Sequence, residues 1–443
     1  MNSNFHNTHS SAARLAGAIL GLALIGSHSV PAADWANWRG PNYNGSTSES
    51  DLPAEFGPDS GVKWTVDLPG PSAATPIVLG DKVFLSTVNS RQQTLQALCL
   101  DRTSGDPLWS RDVGFGVSKD NRSNYASNSP VSDGERVIFF YGTGDLVAFD
   151  LEGEQLWKRN IQKDYGDFSF LWTFSTSPAL YNGILYMQVL QRDTPVNGKG
   201  KNGAESYILA LDPATGEEKW RHVRPAKAKS ESLEAFTTPV WHDGQLLIVG
   251  GDCLTAHNPE TGEELWRWGT WNPARITHWR LVPSAVAGKG VVLACAPKGE
   301  PIFAIKADGS GVLDDSMIAW KSDPRESGLS SDVPTPAFDG EHFYVLSDQG
   351  RGLLAKVDPE DGSVVWSAEL PDRERWRASP TVADGKVYIM NHASTVVVFD
   401  AESGEVLNQA EFGDNDRDSR SGVVAAHGDL FIRTNGKLFC IGG

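Results

Sequence analysis

Seven tryptophans, each closing a similar stretch of chain, constrain this sequence more than any other feature. The stretch reads roughly hydrophobic–hydrophobic–x–hydrophobic–Asp–x–x–(Thr/Ser)–Gly–Glu–x–x–Trp, and is clearest at Ala210–Trp220 and Asn258–Trp266. The tryptophans are Trp64, Trp109, Trp157, Trp220, Trp266, Trp320 and Trp366, and Leu407 is read in the place of an eighth. Successive spacings run from 41 to 63 residues. A period of that size means an array of supersecondary units, each burying its apolar face against the next.

Each unit carries four short β segments. In the third unit, Ser177–Leu180 is followed by the Asn182-Gly183 turn and by Ile184–Val189. Tyr207–Asp212, the Thr215-Gly216 turn and Glu217–Val223 then complete it. Apolar runs separated by Gly, Asn and Asp turns predict antiparallel hairpins, with glycine supplying the positive φ and the preceding Asp accepting from turn N–H groups. Units begin at Thr75-Pro76, Ser129-Pro130, Ser177-Pro178, Thr238-Pro239, Pro283-Ser284, Thr335-Pro336, Ser379-Pro380 and Ser421-Gly422. Four strands at this period are propeller blades, and eight starts predict an all-β, eight-bladed β-propeller. The last unit lacks a tryptophan strand, whereas Val62–Asp67 is such a strand with no blade before it. Pairing the two closes the ring and removes exposed strand edges. The organisation expected is an export signal over 1–33, a lead segment over 34–60 and the propeller over 61–443. The repeated tryptophans are expected to fill wedges between blades, not to touch a ligand.

Bulk properties narrow the function class. In the first 33 residues Arg14 is the only charge, Leu15–Ile25 is a short apolar run, and Val30-Pro31-Ala32 or Pro31-Ala32-Ala33 offers small residues for cleavage, the pattern of a secretory signal. The run is too short to span a membrane. The mature chain is therefore expected to be exported, periplasmic or extracellular. A net charge of −17 repels nucleic acid and anionic lipid. Of the four cysteines, Cys99 and Cys440 hold equivalent places in the first and last units. Buried free thiols are the primary expectation, with a Cys99–Cys440 bridge as the alternative.

The Ala-Leu-Asp-x-x-Thr-Gly-Glu-x-x-Trp signature resembles the pyrroloquinoline quinone (PQQ) type propeller repeat over essentially all of 61–443. That repeat is shared by quinoprotein dehydrogenases and by non-catalytic propeller scaffolds of outer-membrane protein assembly. The lead Asp34–Pro41 and the segment Asn124–Val131 are similar to exported bacterial PQQ-binding-like repeat proteins of the non-dehydrogenase type. The resemblance implies the fold. It does not by itself imply the cofactor, because the repeat builds blades and not a ligand site.

Function is expected in the loops that join one blade to the next, where a rigid scaffold positions unusual side chains. The loop before blade three holds Tyr165, Phe168, Phe170, Trp172 and Phe174; that before blade four holds Glu231, Glu234 and Phe236. Trp268–Arg280, Arg373–Arg377 and Asp414–Arg420 follow. Arg373, Arg375 and Arg377 are expected to point the same way from an extended stretch. The candidate ligand-binding residues are Asn124, Tyr125, Trp172, Glu234, Trp271, His278, Trp279, Arg280, Arg375, Arg377 and Arg420. Flat rings would stack on a ligand while Arg forks hold anionic or carbonyl groups. The competing reading is structural: aromatics plug the channel and arginines pair with carboxylates.

No metal site is assigned from sequence. Asp414-x-Asp416-x-Asp418 resembles the start of a calcium loop, but Ser419 and Ala425 stand where the turn Gly and the bidentate Glu belong. The histidines lack zinc spacing. By resemblance, a quinoprotein dehydrogenase would need a calcium set with a catalytic Asp, a Trp under the quinone and often a disulfide of adjacent cysteines; no two cysteines here are adjacent. The expectation is an exported, monomeric binding or scaffold propeller. Its ligand is a protein, a glycan-like molecule or a small anion. The alternatives are a PQQ- and calcium-dependent oxidoreductase and a hydrolase using carboxylates at the channel mouth.

Overall fold

Glycine at a tight turn and tryptophan eight residues after the Asp are parts of one device, and the architecture follows from it. The computed structural model describes residues 33–118, 120, 123–269, 271–349, 352–413 and 417–442. Residues 1–32, where the export signal is expected, fall outside them, as do Asp414 and Asp416. The described residues form eight antiparallel sheets in sequence order around a ring. Blade one is Ile77–Leu79, Lys82–Asn89, Thr94–Asp101 and Pro107–Phe115. Blade four carries an extra edge, Gly311–Val312, parallel to Glu264–Trp268.

Closure follows the sequence expectation. Val62–Asp67 is the fourth strand of blade eight, pairing Trp64 with Cys440 and Asp67 with Lys437. Inner strands are buried on both faces. Fourth strands alternate, as Pro107–Phe115 does, because one face meets the next blade and the other meets solvent.

The tryptophan of each blade serves the turn of the following one. Trp64, Trp109, Trp157, Trp220, Trp320 and Trp366 donate their indole N–H to backbone oxygens of Arg102, Leu151, Pro213, Pro259, Pro359 and Ala401, at 2.8 to 3.1 Å. Each acceptor lies in the third-to-fourth strand turn of the next blade. A Cβ added to that turn's glycine (Gly105, Gly153, Gly216, Gly262, Gly362 or Gly404) would lie 2.5 to 2.7 Å from an indole carbon. The turn glycine therefore lets the neighbouring tryptophan seat, besides supplying a positive φ. Trp266 is the exception: the next blade has no such turn, and its indole donates to Gln245 Oε1 at 2.8 Å.

Register corrects the placement of the eighth position. Val398 pairs with Asn408 and Phe399 with Val406, so Leu407 occupies the bulge. Leu108 and Leu156 are its equivalents, and all three are exposed. Asn408, not Leu407, stands where the tryptophan would be. The reason is local: the third and fourth strands of blade eight are not joined by a turn, so no turn glycine awaits an indole. Asn408 Nδ2 instead donates to Phe56 O of the lead at 2.8 Å.

A girdle of hydroxyls explains the Ser/Thr at the blade starts. Thr75 N–H donates to Ser129 Oγ, Ser129 to Ser177, Thr238 to Ser284, Ser284 to Thr335 and Thr335 to Ser379, at 2.9 to 3.0 Å. Gly422 N–H returns to Thr75 Oγ1 at 3.2 Å. These bonds satisfy backbone donors that face the channel with no strand partner.

The lead segment packs against the ring. Trp35 is buried and exchanges backbone bonds with Val78. Ala36, Asn44 and Gly45 accept from Ser132, Phe338 and Val382, tying the lead to three further blades. The four cysteines are free and buried, so the alternative Cys99–Cys440 bridge is not formed. No described helix is long and apolar enough to cross a membrane.

Candidate functional site

The channel opens into a cavity of about 400 Å³. Its floor is Trp38 and Arg39 of the lead, and its walls include Thr75, Ser177, Thr238, Thr335 and Ser379 of the girdle. Arg39 enters from beneath: Nη1 donates to Pro380 O at 2.9 Å and Nη2 to Pro336 O at 2.8 Å and Asn44 O at 3.4 Å. Burial pushes the guanidinium down to about 9, still charged at neutral pH.

Charge at the mouth is one-sided. Arg280, Lys298, Arg377 and Arg420 come from blades five to eight and the loops entering them, facing Trp172, Glu231 and Phe236 across the cavity. Asp332 is the acid among them, 3.9 Å from Arg280 and 3.7 Å from Lys298. Arg377 lies 3.7 Å from buried Asp348, and Arg420 is 3.7 Å from Asp418. These contacts exceed the 2.7–2.9 Å of a charge-assisted hydrogen bond, so Arg280, Lys298 and Arg377 keep N–H capacity toward a ligand. Glu231 accepts from Trp172 Nε1 at 3.2 Å, fixing that ring at the mouth. The local field registers on His392, where burial, then Arg420 and Arg377, depress the imidazole to about 3 despite Asp418 at 3.1 Å.

The sequence candidates divide. Trp172, Arg280, Arg377 and Arg420 meet at the cavity. Asn124 shapes its own loop, donating to Pro71 O at 2.9 Å and accepting from Ala126 N–H, while Tyr125 packs on Gly116 and Gly142. Glu234 is buried: it pairs with Arg192, accepts from Leu171 N–H at 2.9 Å, and so braces the Trp172 loop. Trp271 is in the core against Trp268, His278 is exposed, and Trp279 packs half-buried on that core. Arg375 is exposed outside the cavity lining. Of the three arginines expected to point the same way, Arg377 lines the cavity, while Arg373 and Arg375 are exposed outside its lining; the bends at 371–374 interrupt the extended backbone that alternation requires before Arg375.

Neither reading of the aromatic loops wins whole. Phe168, Phe170 and Phe174 form a buried cluster with centroids 4.7 to 6.1 Å apart, so most aromatics are structural, whereas Arg280, Lys298 and Arg377 are not consumed by pairing. Sequence reasoning left Trp38, Arg39, Lys298, Glu231 and Asp332 off the site. The Ser/Thr-Pro starts were a usable signal for the channel wall; nothing local marks Lys298.

A quinone with calcium is the group the dehydrogenase alternative requires, and the residues fit it only in part. The basic wall suits carboxylates. Calcium needs several convergent oxygens, yet Glu231 and Asp332 are engaged on different sides. Among the described residues, the one group of three converging carboxylate or imidazole ligand atoms is His222, His257 and Glu264, outside the cavity lining.

Comparison with known proteins agrees with the fold. The outer membrane protein assembly factor BamB of Alteromonas naphthalenivorans is 27% identical over 59% of this chain, and the match spans 58% of that protein. The 1-butanol dehydrogenase (cytochrome c) of Thauera butanivorans is 24% identical over 80% of this chain and 58% of its own length. The chain thus spans less than two thirds of either relative. The crystal structure of BamB from Moraxella catarrhalis superposes with a TM-score of 0.58 at 12% identity, covering 86% of this chain and 99% of that one. The family model described as outer membrane protein assembly factor BamB matches residues 54–193 and 204–442, and the chain belongs to that family of PQQ-like β-propellers.

Proposed function

We propose that this protein is an exported binding propeller that captures a ligand or partner through carboxylate or phosphate groups at the channel mouth, without itself catalysing a reaction. The observation that carries the reading is the wall of Arg280, Lys298, Arg377 and Arg420 over a cavity floored by Arg39, in a chain of net charge −17. An acidic protein that gathers basic side chains around one cavity has a local field favouring anions there. The relatives named as assembly factors support a partner-binding role, in which the anion is a side chain or terminus of another protein.

The second reading, a PQQ-dependent dehydrogenase, is favoured by the Thauera relative and by the fit of the basic wall to carboxylates. When bound, that quinone would supply hydride-accepting redox chemistry. Arg280, Arg377 and Arg420 would orient its carboxylates, and Trp38 and Trp172 would restrict water at the floor and mouth.

The test is a fluorescence titration of the mature protein with citrate, inorganic phosphate and pyrroloquinoline quinone, repeated on Arg377→Ala. Saturable binding of one of them, weakened about tenfold or more by the substitution, is expected. Binding of none at millimolar concentration, or binding indifferent to Arg377→Ala, overturns the anion site. Alcohol-dependent dye reduction with the quinone and calcium would overturn the non-catalytic reading.

A further inference from the structure

Away from the channel, the wedge between blades three and four gathers three metal-ligand side chains that sequence spacing separates. His222 sits on Glu218–Val223, the outer strand of blade three. His257 ends the third strand of blade four and Glu264 opens the fourth, the two paired in register. One ligand atom from each lies within 4.8 Å of the others.

Hydrogen bonding fixes the tautomer of His257. His257 Nδ1 is 3.1 Å from the Gly262 carbonyl; a carbonyl only accepts, so Nδ1 carries the proton, and the Nε2 lone pair accepts from the Thr255 hydroxyl at 2.9 Å, a bond that a cation would replace. Fixing one ring nitrogen on a backbone oxygen while aiming the other is how proteins orient metal-binding histidines. His222 Nε2 is buried with no hydrogen-bond partner and stands 4.0 Å from Glu264 Oε2. An unpartnered buried ring nitrogen is unfavourable, and a cation between the rings would give it a partner. Glu264 is anchored from behind by Arg267, whose Nε and Nη2 lie 2.5 and 2.6 Å from its two oxygens.

We infer that His222, His257 and Glu264 form a three-ligand site for a late first-row divalent cation of the zinc or copper(II) class, with water in the remaining position. Two imidazoles and one carboxylate suit those ions and not calcium or magnesium, which take oxygen. A tetrahedral set with bonds of about 2.1 Å has edges of about 3.4 Å, so binding draws the side chains together by roughly an ångström. Two guanidiniums weaken the site. Arg267 shares Glu264, and Arg224, saturated by Thr255 Oγ1 and the carbonyls of Ile248, Gly250 and Cys253, lies behind Thr255. The expected affinity is micromolar, not the nanomolar of an uncompensated set.

The experiment is calorimetric titration of the chelator-treated, tag-free mature protein with zinc, and electron paramagnetic resonance of the copper(II) form, beside His222→Ala and Glu264→Gln. Expected are one equivalent bound, nitrogen hyperfine structure from two imidazoles, and affinity lowered at least about tenfold in His222→Ala. His222 is on an outer strand, so that variant should keep its melting temperature in chelator. If it does not, Glu264→Gln, which keeps shape and loses charge, decides by the same tenfold criterion. No binding at about 100 µM zinc, or equal binding by wild type and both variants, overturns the site.

Discussion

The indole of Trp220 lies against Gly262 of the next blade, so closely that a Cβ on that glycine would meet three ring carbons at 2.5, 2.8 and 2.9 Å. Gly244 makes the matched comparison: its φ of +76° is nearly that of Gly262 at +77°, but nothing lies within 4 Å of its missing Cβ. Gly244→Ala should cost only the positive-φ strain, about 1 kcal/mol. Gly262→Ala adds displacement of a packed indole, for a total of about 2–4 kcal/mol. Urea denaturation of the two variants measures the difference. Equal losses would mean that the indole does not constrain the turn.

The same pairing shows what was legible in the sequence. Turn glycine, Asp and tryptophan recur because each blade repeats the same local chemistry, so blade number and closure could be read without coordinates. Leu407 was misplaced because an apolar residue looks like a tryptophan substitute, whereas the bulge shifts the wedge position to Asn408. The cavity was half legible: Arg280, Arg377 and Arg420 were named, but Arg39 reaches the channel from a lead segment that carries no repeat. Arg375, two residues before Arg377, is exposed outside the cavity lining, a difference that spacing alone does not display. His222 meets His257 and Glu264 only across a blade interface, which spacing along one chain cannot display.

Restoring the repeat at its weakest copy should therefore fail. Asn408→Trp would lose the 2.8 Å bond to Phe56 O and find no turn glycine to pack on. A loss of about 1–2 kcal/mol is expected, read as a lower melting temperature. Trp64→Ala, which empties a real wedge between blades eight and one, should cost more, about 3–5 kcal/mol. Stabilisation by Asn408→Trp would contradict the account of why that copy lacks its tryptophan.

Arg39 is the bolt between the lead and blades six and seven. Arg39→Met leaves the buried carbonyls of Pro336 and Pro380 without their donor, a cost of about 1–3 kcal/mol for each left dry. Arg39→Lys should rescue only partly, since one ammonium cannot reproduce the fork that reaches both carbonyls. Melting temperatures ordered wild type, Lys, Met are expected. Full rescue by Lys would show that charge alone, and not the bidentate geometry, holds the lead in place.

Glu234 should make stability fall as pH rises. Its carboxyl is pushed up from 4.5 to about 7, by burial first, with Arg192 and the Leu171 N–H opposing. A folded-state value above the unfolded one means the protonated form is favoured by folding. That contribution is fully present below about pH 4.5 and is lost as pH climbs through about 7. Gln cannot titrate and resembles the protonated acid. Wild-type stability minus that of Glu234→Gln should thus drop between pH 4.5 and 8, by an amount on the order of 3 kcal/mol. Subtracting the variant cancels the opposite trend from His257 and His392, whose depressed values remove stability as pH falls. Urea denaturation of both proteins at pH 5 and pH 8 measures it. A difference that stays flat, or grows with pH, would show that the Arg192 pairing outweighs burial and keeps Glu234 ionised throughout.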